Sequence, residues 1–411
     1  MDLELARLTS LDRIEAAAWN ALAPGDPFLQ HEFLAALEHS GSIGRRTAWR
    51  PSYLTAADAQ GELVGALPLY IKYDSRGEFV FDWGWADAFE RAGGRYYPKL
   101  VSSVPFTPAT GPRLLVRPGA ARRPVAERLL SEARALQKEL RASSVHVLFP
   151  AEEDRAALEA AGFLARKSCQ FQWSNRGYRD FDDFLGSFSS SKRKKAKRER
   201  RRIAEAGIGF EHRHGNELEA GDWDAVFEFY ERTFQRRGRQ PYLNRAFFDE
   251  VSSTMPDKLL VVLARHQGRP IAAAICFRGA DALYGRYWGS LADFHSLHFE
   301  TCYYQGIEYC IREGLQRFEP GTQGEHKISR GFSPTPTWSY HWLSDPGFQE
   351  AVAEFLVRET AQVDAYMEYL EDHLPYRREA DPGAAMEIPF GEEPEEPPPS
   401  SRRAPGEPEE T

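Results

Sequence analysis

Two short motifs occur twice in this chain, in the same order, and that repetition limits the possible folds more than any other feature. Gly61-Glu-Leu-Val-Gly-Ala-Leu-Pro-Leu-Tyr70 and Gly268-Arg-Pro-Ile-Ala-Ala-Ala-Ile-Cys-Phe277 each read as a strand after a tight turn, and each follows a strand-like run, Tyr53 to Ala57 and Leu259 to Ala264. Further on, Gly162-Phe163 precedes Phe171-Gln-Trp173 and Gly331-Phe332 precedes Tyr340-His-Trp342, with eleven residues from Gly to Trp in both. One such match arises by chance; two in order indicate a duplicated domain. The motifs lie 101 residues apart in the first copy and 63 in the second, so the first carries an insertion. A chain of 411 residues also exceeds what one hydrophobic core supports.

Each copy alternates strands and helices. In the second, Trp223 to Gln235 carries Trp223, Val226, Phe227, Tyr230 and Phe234 on one helical face. Strands follow at 259–265, 270–278 and 282–289, then a helix from Phe299 to Arg312 stopped by Gly314, a strand at 316–320 and a last strand at 337–343. This is an α+β order, each copy a mixed, mostly antiparallel sheet with flanking helices. The expected organisation is a first domain at 1–180, a basic linking helix at 181–210, a second domain at 211–378 and a disordered acidic tail at 379–411.

The net charge of −9 conceals two opposite segments. From Ser191 to Arg202 there are nine basic residues and one acid, Glu199; from Glu379 to Thr411 there are ten acids and two arginines among many prolines. The tail cannot bury apolar area and reads as a solubilising appendage, with self-masking of the basic helix as the alternative. Lys192, Arg193, Lys194 and Lys195 begin a helix capped within Ser189 to Ser191, and cations at this density attract phosphate. Without aromatic interleaving the stretch is not a single-strand stacking platform, and DNA is not an expected partner. Four scattered cysteines form neither a disulfide framework nor a zinc spacing, so no metal site is expected. With no signal-peptide core and no apolar run of spanning length, the expected location is cytoplasmic.

The densest chemistry lies in Gly321-Thr-Gln-Gly-Glu-His-Lys-Ile-Ser-Arg-Gly-Phe332. Gly321 and Gly324 let the backbone approach a ligand, while Glu325, His326, Lys327 and Arg330 offer an acid, a base and two cations within six positions. Acyl transfer to an amine needs such groups, a base for the ammonium proton and a donor for the oxyanion. No local motif supports a covalent Ser or Cys nucleophile. In the first copy, Phe79 to Phe89 reads as a strand and turn holding Asp82, Trp83 and Trp85, the makings of a substrate wall. Tyr96, Tyr97, Lys99, Pro105 to Pro108 with Thr107, and Arg113 read as a stiff cationic loop able to clamp an anionic acceptor, while Arg286, among strand aromatics, is either a buried ion pair or a ligand.

Phe81-Asp-Trp-Gly-Trp-Ala86, Tyr96-Tyr-Pro-Lys-Leu100, Pro105-Phe-Thr-Pro108, Ser189-Ser-Ser-Lys-Arg193, Tyr284-Gly-Arg-Tyr-Trp-Gly289 and Gly324-Glu-His-Lys327 with Arg330-Gly-Phe332 carry a resemblance to the bacterial FemAB-like N-acyltransferases, over about residues 25 to 375. The resemblance implies two tandem GNAT-like acyltransferase domains, with the basic helix between them. It places Lys327 opposite the donor's acyl group. Phe318-Glu-Pro-Gly321 stands where such enzymes have Asp-Phe-Gly-Gly, which leaves the base open between Glu319 and His326. Leu291 to His298 lacks the glycine turn that usually holds coenzyme A, so the donor is an acyl-CoA or, as in FemAB-type enzymes, an aminoacyl-tRNA, with no tightly bound cofactor.

The resulting expectation is a transferase with one catalytic site, Lys327, His326 and Glu319, in the second copy. Asp82, Trp83, Trp85, Lys99, Thr107, Arg113, Arg286, Tyr303 and Glu325 would bind substrate, and Lys192 to Lys195 phosphate. The acceptor is a small-molecule or cell-wall-precursor amine. The rival is a non-catalytic scaffold binding tRNA or a nucleotide-sugar through the basic helix.

Overall fold

Gly162 and Gly331, the glycines of the repeated motif, both adopt left-handed backbone, at φ 80° and 91°. Each ends a helical turn in the same way. The glycine N–H donates to Glu159 or Ile328, and the N–H of the next residue, Phe163 or Phe332, reaches back to Leu158 or Lys327. This is the paired 5→2 and 6→1 closure that glycine allows at a helix C-terminus. Each turn then feeds an eleven-residue strand.

The computed structural model describes residues 2–292, 294–322 and 324–377; the acidic tail lies outside them. Strands in the first copy are β1 (Glu4–Leu8), β2 (Trp49–Pro51), β3 (Tyr53–Ala57), β4 (Leu63–Leu67), β5 (Leu69–Lys72), β6 (Lys99–Ser102), β7 (Leu115–Val116), β8 (Ser144–Leu148) and β9 (Leu164–Ser174). Those in the second are β10 (Ile208–His214), β11 (Leu259–His266), β12 (Arg269–Arg278), β13 (Ala282–Ser290), β14 (Arg317–Glu319) and β15 (Ser333–Leu343). The repeated hairpins are β3–β4 and β11–β12, turning at Gly61 and Gly268, both at positive φ.

One sheet runs β10-β11-β12-β13-β14-β9-β15-β8-β6-β5-β2, and a second β1-β3-β4-β7. Two parallel pairs, β6 with β8 and β13 with β14, are bridged by equivalent helices, Arg122–Leu140 and the run from Leu297 to Arg312, which contains a wide turn at Glu300–Tyr304. Pro68, which has no N–H for a ladder, separates β4 from β5 and divides the first copy between the two sheets. At the centre the copies exchange strands. β14 of the second copy pairs with β9 of the first, and β15 of the second pairs with β8 of the first.

A shared core reinforces the join, with Phe33 edge-on to Phe247 and Phe277 at 5.4 and 5.3 Å. Met1 to Tyr376 therefore form one compact unit. Among the described residues no helix is long and apolar enough to cross a membrane.

Two local expectations are corrected. The strand and turn read at Phe79 to Phe89 is instead a helix, Trp83–Arg91, with Asp82 at its N-cap position. Ala86, Ala88 and Glu90 favour helix, and among the described residues Val80 and Phe81 pair with no strand. The second copy does not end at its last strand. Helix Pro346–Glu371 follows, capped by Asp345 on the Phe348 N–H, and packs Val352, Leu356, Met367 and Leu370 against the β9–β15 face. The basic stretch does form a helix, Ser190–Glu205, although the Ser189 side chain makes no cap bond.

Candidate active site

Beyond Tyr284 and Glu319, the last paired residues of β13 and β14, the two parallel strands part. On the β13 side the ladder to β12 skips a residue, so that Ile275 faces Tyr287 and Cys276 faces Gly285. Arg286 is the bulged residue between them, and a bulge re-aims its side chain. Arg286 donates to the Phe106 carbonyl at 2.8 Å, while its buried Nε has no hydrogen-bond partner among the described residues. Gly289 lets β13 touch helix Ala220–Gln235, since a Cβ there would lie 1.9 Å from the Phe229 carbonyl oxygen.

On the β14 side, Glu319 leads through Pro320 and Gly321 into the short helical turn Glu325–Arg330. Burial pushes the Glu319 carboxyl up to about 7, against the pull of Arg317 and Arg286, with Asp26 of the first copy adding to the rise. Lys327 occupies the position of this turn that its counterpart, helix Glu152–Ala160, gives to the fully buried Leu158. Its side chain is correspondingly 2% exposed. Its Nζ donates to the Gly321 carbonyl at 2.6 Å and stands 5.7 Å from the centre of the Phe171 ring. No carboxylate pairs with it among the described residues, and burial drives the amine down to about 7. A charged lysine in a core position is costly, which is the usual cause of such a shift.

His326 is half-buried, with Nε2 2.7 Å from the Tyr303 hydroxyl. Burial, with Arg330 and Lys327 adjacent, holds the imidazole down at about 4. Glu325 is exposed and accepts from the Tyr366 hydroxyl at 2.8 Å. Lys327, His326 and Tyr303 thus gather at this turn, while Glu319 and Arg286 influence one another where β14 and β13 part, and Gly321 links the two groups through its carbonyl to Lys327.

The first-copy residues form a different group. Lys99 is fully buried and donates to Ser75 at 2.8 Å, Glu78 at 2.8 Å and Asp82 at 2.5 Å; Asp82 also accepts from Tyr96 at 2.7 Å. Beside them lie His146 and His341, Nδ1 to Nδ1 at 2.6 Å, with Trp85 edge-on to His341. Arg113 is buried, with its guanidinium on the carbonyls of Leu148, Pro112 and Ala109. Thr107 is buried in the same loop region. Lys99 and Arg113 therefore have their donors engaged inside the protein, where sequence reasoning had them orienting an acceptor. Trp83 is 42% exposed and lies 5.0 Å from the exposed Phe81 ring.

The basic helix turns Ala196, Glu199 and Ile203 inward. Lys197 pairs with Asp182, and Arg200 with Glu300 and Glu308. Lys192, Arg193, Lys194, Lys195 and Arg198 form no ion pair among the described residues. No three His, Cys, Asp or Glu side chains among the described residues converge as a metal would require.

Sequence reasoning missed Glu78, His146 and His341, which are distant in the chain from Lys99, and Asp26. It could have found the burial of Lys327, because aligning Gly331 with Gly162 sets Lys327 against Leu158.

The fold is similar to that of FemX, at 11% identity and a TM-score of 0.52 over 85% of this chain and 100% of that one. L-PGS from Bacillus licheniformis matches at 11% identity and TM-score 0.49, over 88% of this chain and 96% of that one. A tandem GNAT protein from the clavulanic acid biosynthesis pathway matches at 14% identity and TM-score 0.44, over 84% and 99%. No curated protein sequence matches. The sequence model of one family, described as peptidoglycan biosynthesis/recognition, spans residues 10–378, and the chain belongs to that family, the FemAB-like proteins.

Proposed function

We propose that the protein is an N-acyltransferase that moves an acyl or aminoacyl group from a thioester or charged-tRNA donor to an amine by direct attack. The observation that carries this reading is Lys327, an amine held in a core position without a carboxylate partner among the described residues. Such a residue costs stability, and groups of this kind concentrate at functional sites. The acceptor nitrogen forms its bond to the donor carbonyl carbon, the ammonium proton passes to Glu319, and the donor's C–S or C–O bond breaks as the leaving group departs. The ammonium form of Lys327 donates to the developing oxyanion. Glu319 suits the base better than His326, because its carboxyl lies near neutrality while the His326 nitrogen facing Tyr303 is engaged and poorly basic.

The family description and the likeness to FemX support a cell-wall precursor as acceptor class. Lys192, Arg193, Lys194, Lys195 and Arg198, without ion pairs among the described residues, support a polyanionic donor, and their attraction for it weakens steeply with salt. The test incubates the protein with a panel of acyl-CoA thioesters and charged tRNAs, with and without cell-wall-precursor amines. Donor consumption by wild type, reduced at least about 100-fold in Lys327→Ala, is the expected result. No consumption of any donor would favour a binding scaffold instead.

A further inference from the structure

We propose that Glu199, the one inward-facing acid of the basic helix, is a positioning residue that holds Lys327 in place from a neighbouring element. The inference rests on the reading of Lys327 as the catalytic cation.

The turn Glu325–Arg330 is bounded by Gly324 at φ 110° and Gly331 at φ 91°, backbone values that glycine adopts readily. What fixes it between them is a chain of buried polar contacts. Glu199 is 5% exposed and accepts from Arg330 Nη2 at 2.8 Å through one oxygen and from the Tyr304 hydroxyl at 2.6 Å through the other. Arg330, itself 2% exposed, places Nη1 on the His326 carbonyl at 2.7 Å. That carbonyl belongs to the residue directly before Lys327. The guanidinium also lies 3.3 Å from the centre of the Phe299 ring, so it is clamped on one face as well as at its edge.

Removing the carboxylate leaves the buried guanidinium uncompensated, and it would move toward water. It would then release the His326 carbonyl, and with it the backbone that keeps the Lys327 amine against Gly321 and out of solvent. The helix itself need not move, because Ala196 and Ile203 anchor the same face independently.

The experiment compares wild type with Glu199→Gln and Tyr304→Phe. Each is labelled briefly with acetic anhydride across a pH series, and modification of Lys327 is read by peptide mass spectrometry against the exposed Lys194 as reference. In wild type the Lys327 profile is expected to have its midpoint well below that of Lys194. Glu199→Gln is expected to raise the Lys327 midpoint by about one pH unit or more and to lower kcat with little change in KM. Tyr304→Phe keeps the Arg330 link and is expected to leave the midpoint unchanged. If both variants lose thermal stability while the Lys327 midpoint stays at its wild-type value, Glu199 is merely structural and the proposal fails. Labelling requires no donor or acceptor, so it decides the positioning role even if the transferase reading fails for lack of turnover.

Discussion

Ser168 and Thr337 stand directly opposite one another in the β9–β15 ladder, and each lies six residues after the positive-φ glycine of its own repeat. Equivalent residues of the two copies therefore meet at this point, which is where a local two-fold axis crosses the sheet. On either side of it, each copy's last strand completes the other copy's sheet. Split between Gly186 and Ser187, each half would expose long unpaired edges, a situation that drives aggregation. Residues 1–186 and 187–377 expressed separately should be insoluble or lack a cooperative melt, and coexpressed they should copurify as a folded pair. A cooperative thermal transition from either half alone would contradict the exchange.

Lys99 with Glu78 and Asp82 makes the second case. All three are buried, and one oxygen of each acid already lacks a hydrogen bond among the described residues, with Lys72 Nζ 3.8 Å from that of Glu78. Lys99→Met would leave two buried carboxylates without their main cation, and removing one partner of such a group costs about 3–5 kcal/mol. Urea unfolding measures this. A loss under about 1 kcal/mol would mean that solvent reaches the cluster. The double variant Lys99→Met/Asp82→Asn should be less damaging than the single one.

These residues also mark where sequence reading stops. The repeat was legible because its glycines have a backbone duty, positive φ, that only a few residues fulfil. The helices with one apolar face were legible for the same local reason, and so was the turn carrying Lys327. Helix Trp83–Arg91 was not, because Phe79 to Phe89 is rich in aromatics that suit strands, and only tertiary context decides between the two. Helix Pro346–Glu371 did advertise itself, through Asp345-Pro346 at its start and Val352, Leu356 and Leu370 at helical spacing, signals that went unread behind the last strand. Strand exchange and the partners of Lys99 depend on contacts between residues far apart in the chain, which no periodicity encodes. Glu199 shows a middle case. Its charge, opposite to all its neighbours, was visible, but its partner Arg330 lies 131 residues away.

His146 and His341 give a prediction about protons. One hydrogen bond joins their Nδ1 atoms, so one ring must carry that proton and the other must not. Their Nε2 atoms face Ser144 at 2.7 Å and Ser339 at 2.8 Å, and serine can accept from one ring and donate to the other. Burial holds His146 down at about 3 and His341 well below its usual 6.5, so both rings are neutral. Nitrogen NMR of the folded protein at pH 6.5 should show two neutral rings of opposite tautomer; two identical tautomers would refute the pairing. Since the unfolded rings take up protons below about 6.5 and the folded ones do not, the pair's contribution to stability is complete above that pH. It is lost as the pH falls toward 3, and urea midpoints at pH 7 and pH 5 should differ in that direction.

Lys327 carries the same argument on the alkaline side. Its folded value near 7 lies below the 10.5 of a free lysine, so between these the unfolded chain binds a proton that the folded one does not. The stability linked to this group is therefore fully present only above 10.5 and is lost as the pH falls through 7. Lys327→Met has nearly the same volume and no charge to desolvate, as Leu158 does at the equivalent place in the first copy. The variant should be at least as stable as wild type at pH 7, and its stability should rise less steeply than wild type's between pH 7 and pH 9. Transfer activity should nevertheless disappear. Chemical denaturation at a series of pH values decides the matter: a Lys327→Met protein clearly less stable than wild type at pH 7 would show that the amine serves the fold. The opposite outcome, greater stability with no turnover, is what a residue retained for chemistry at a cost to folding should give.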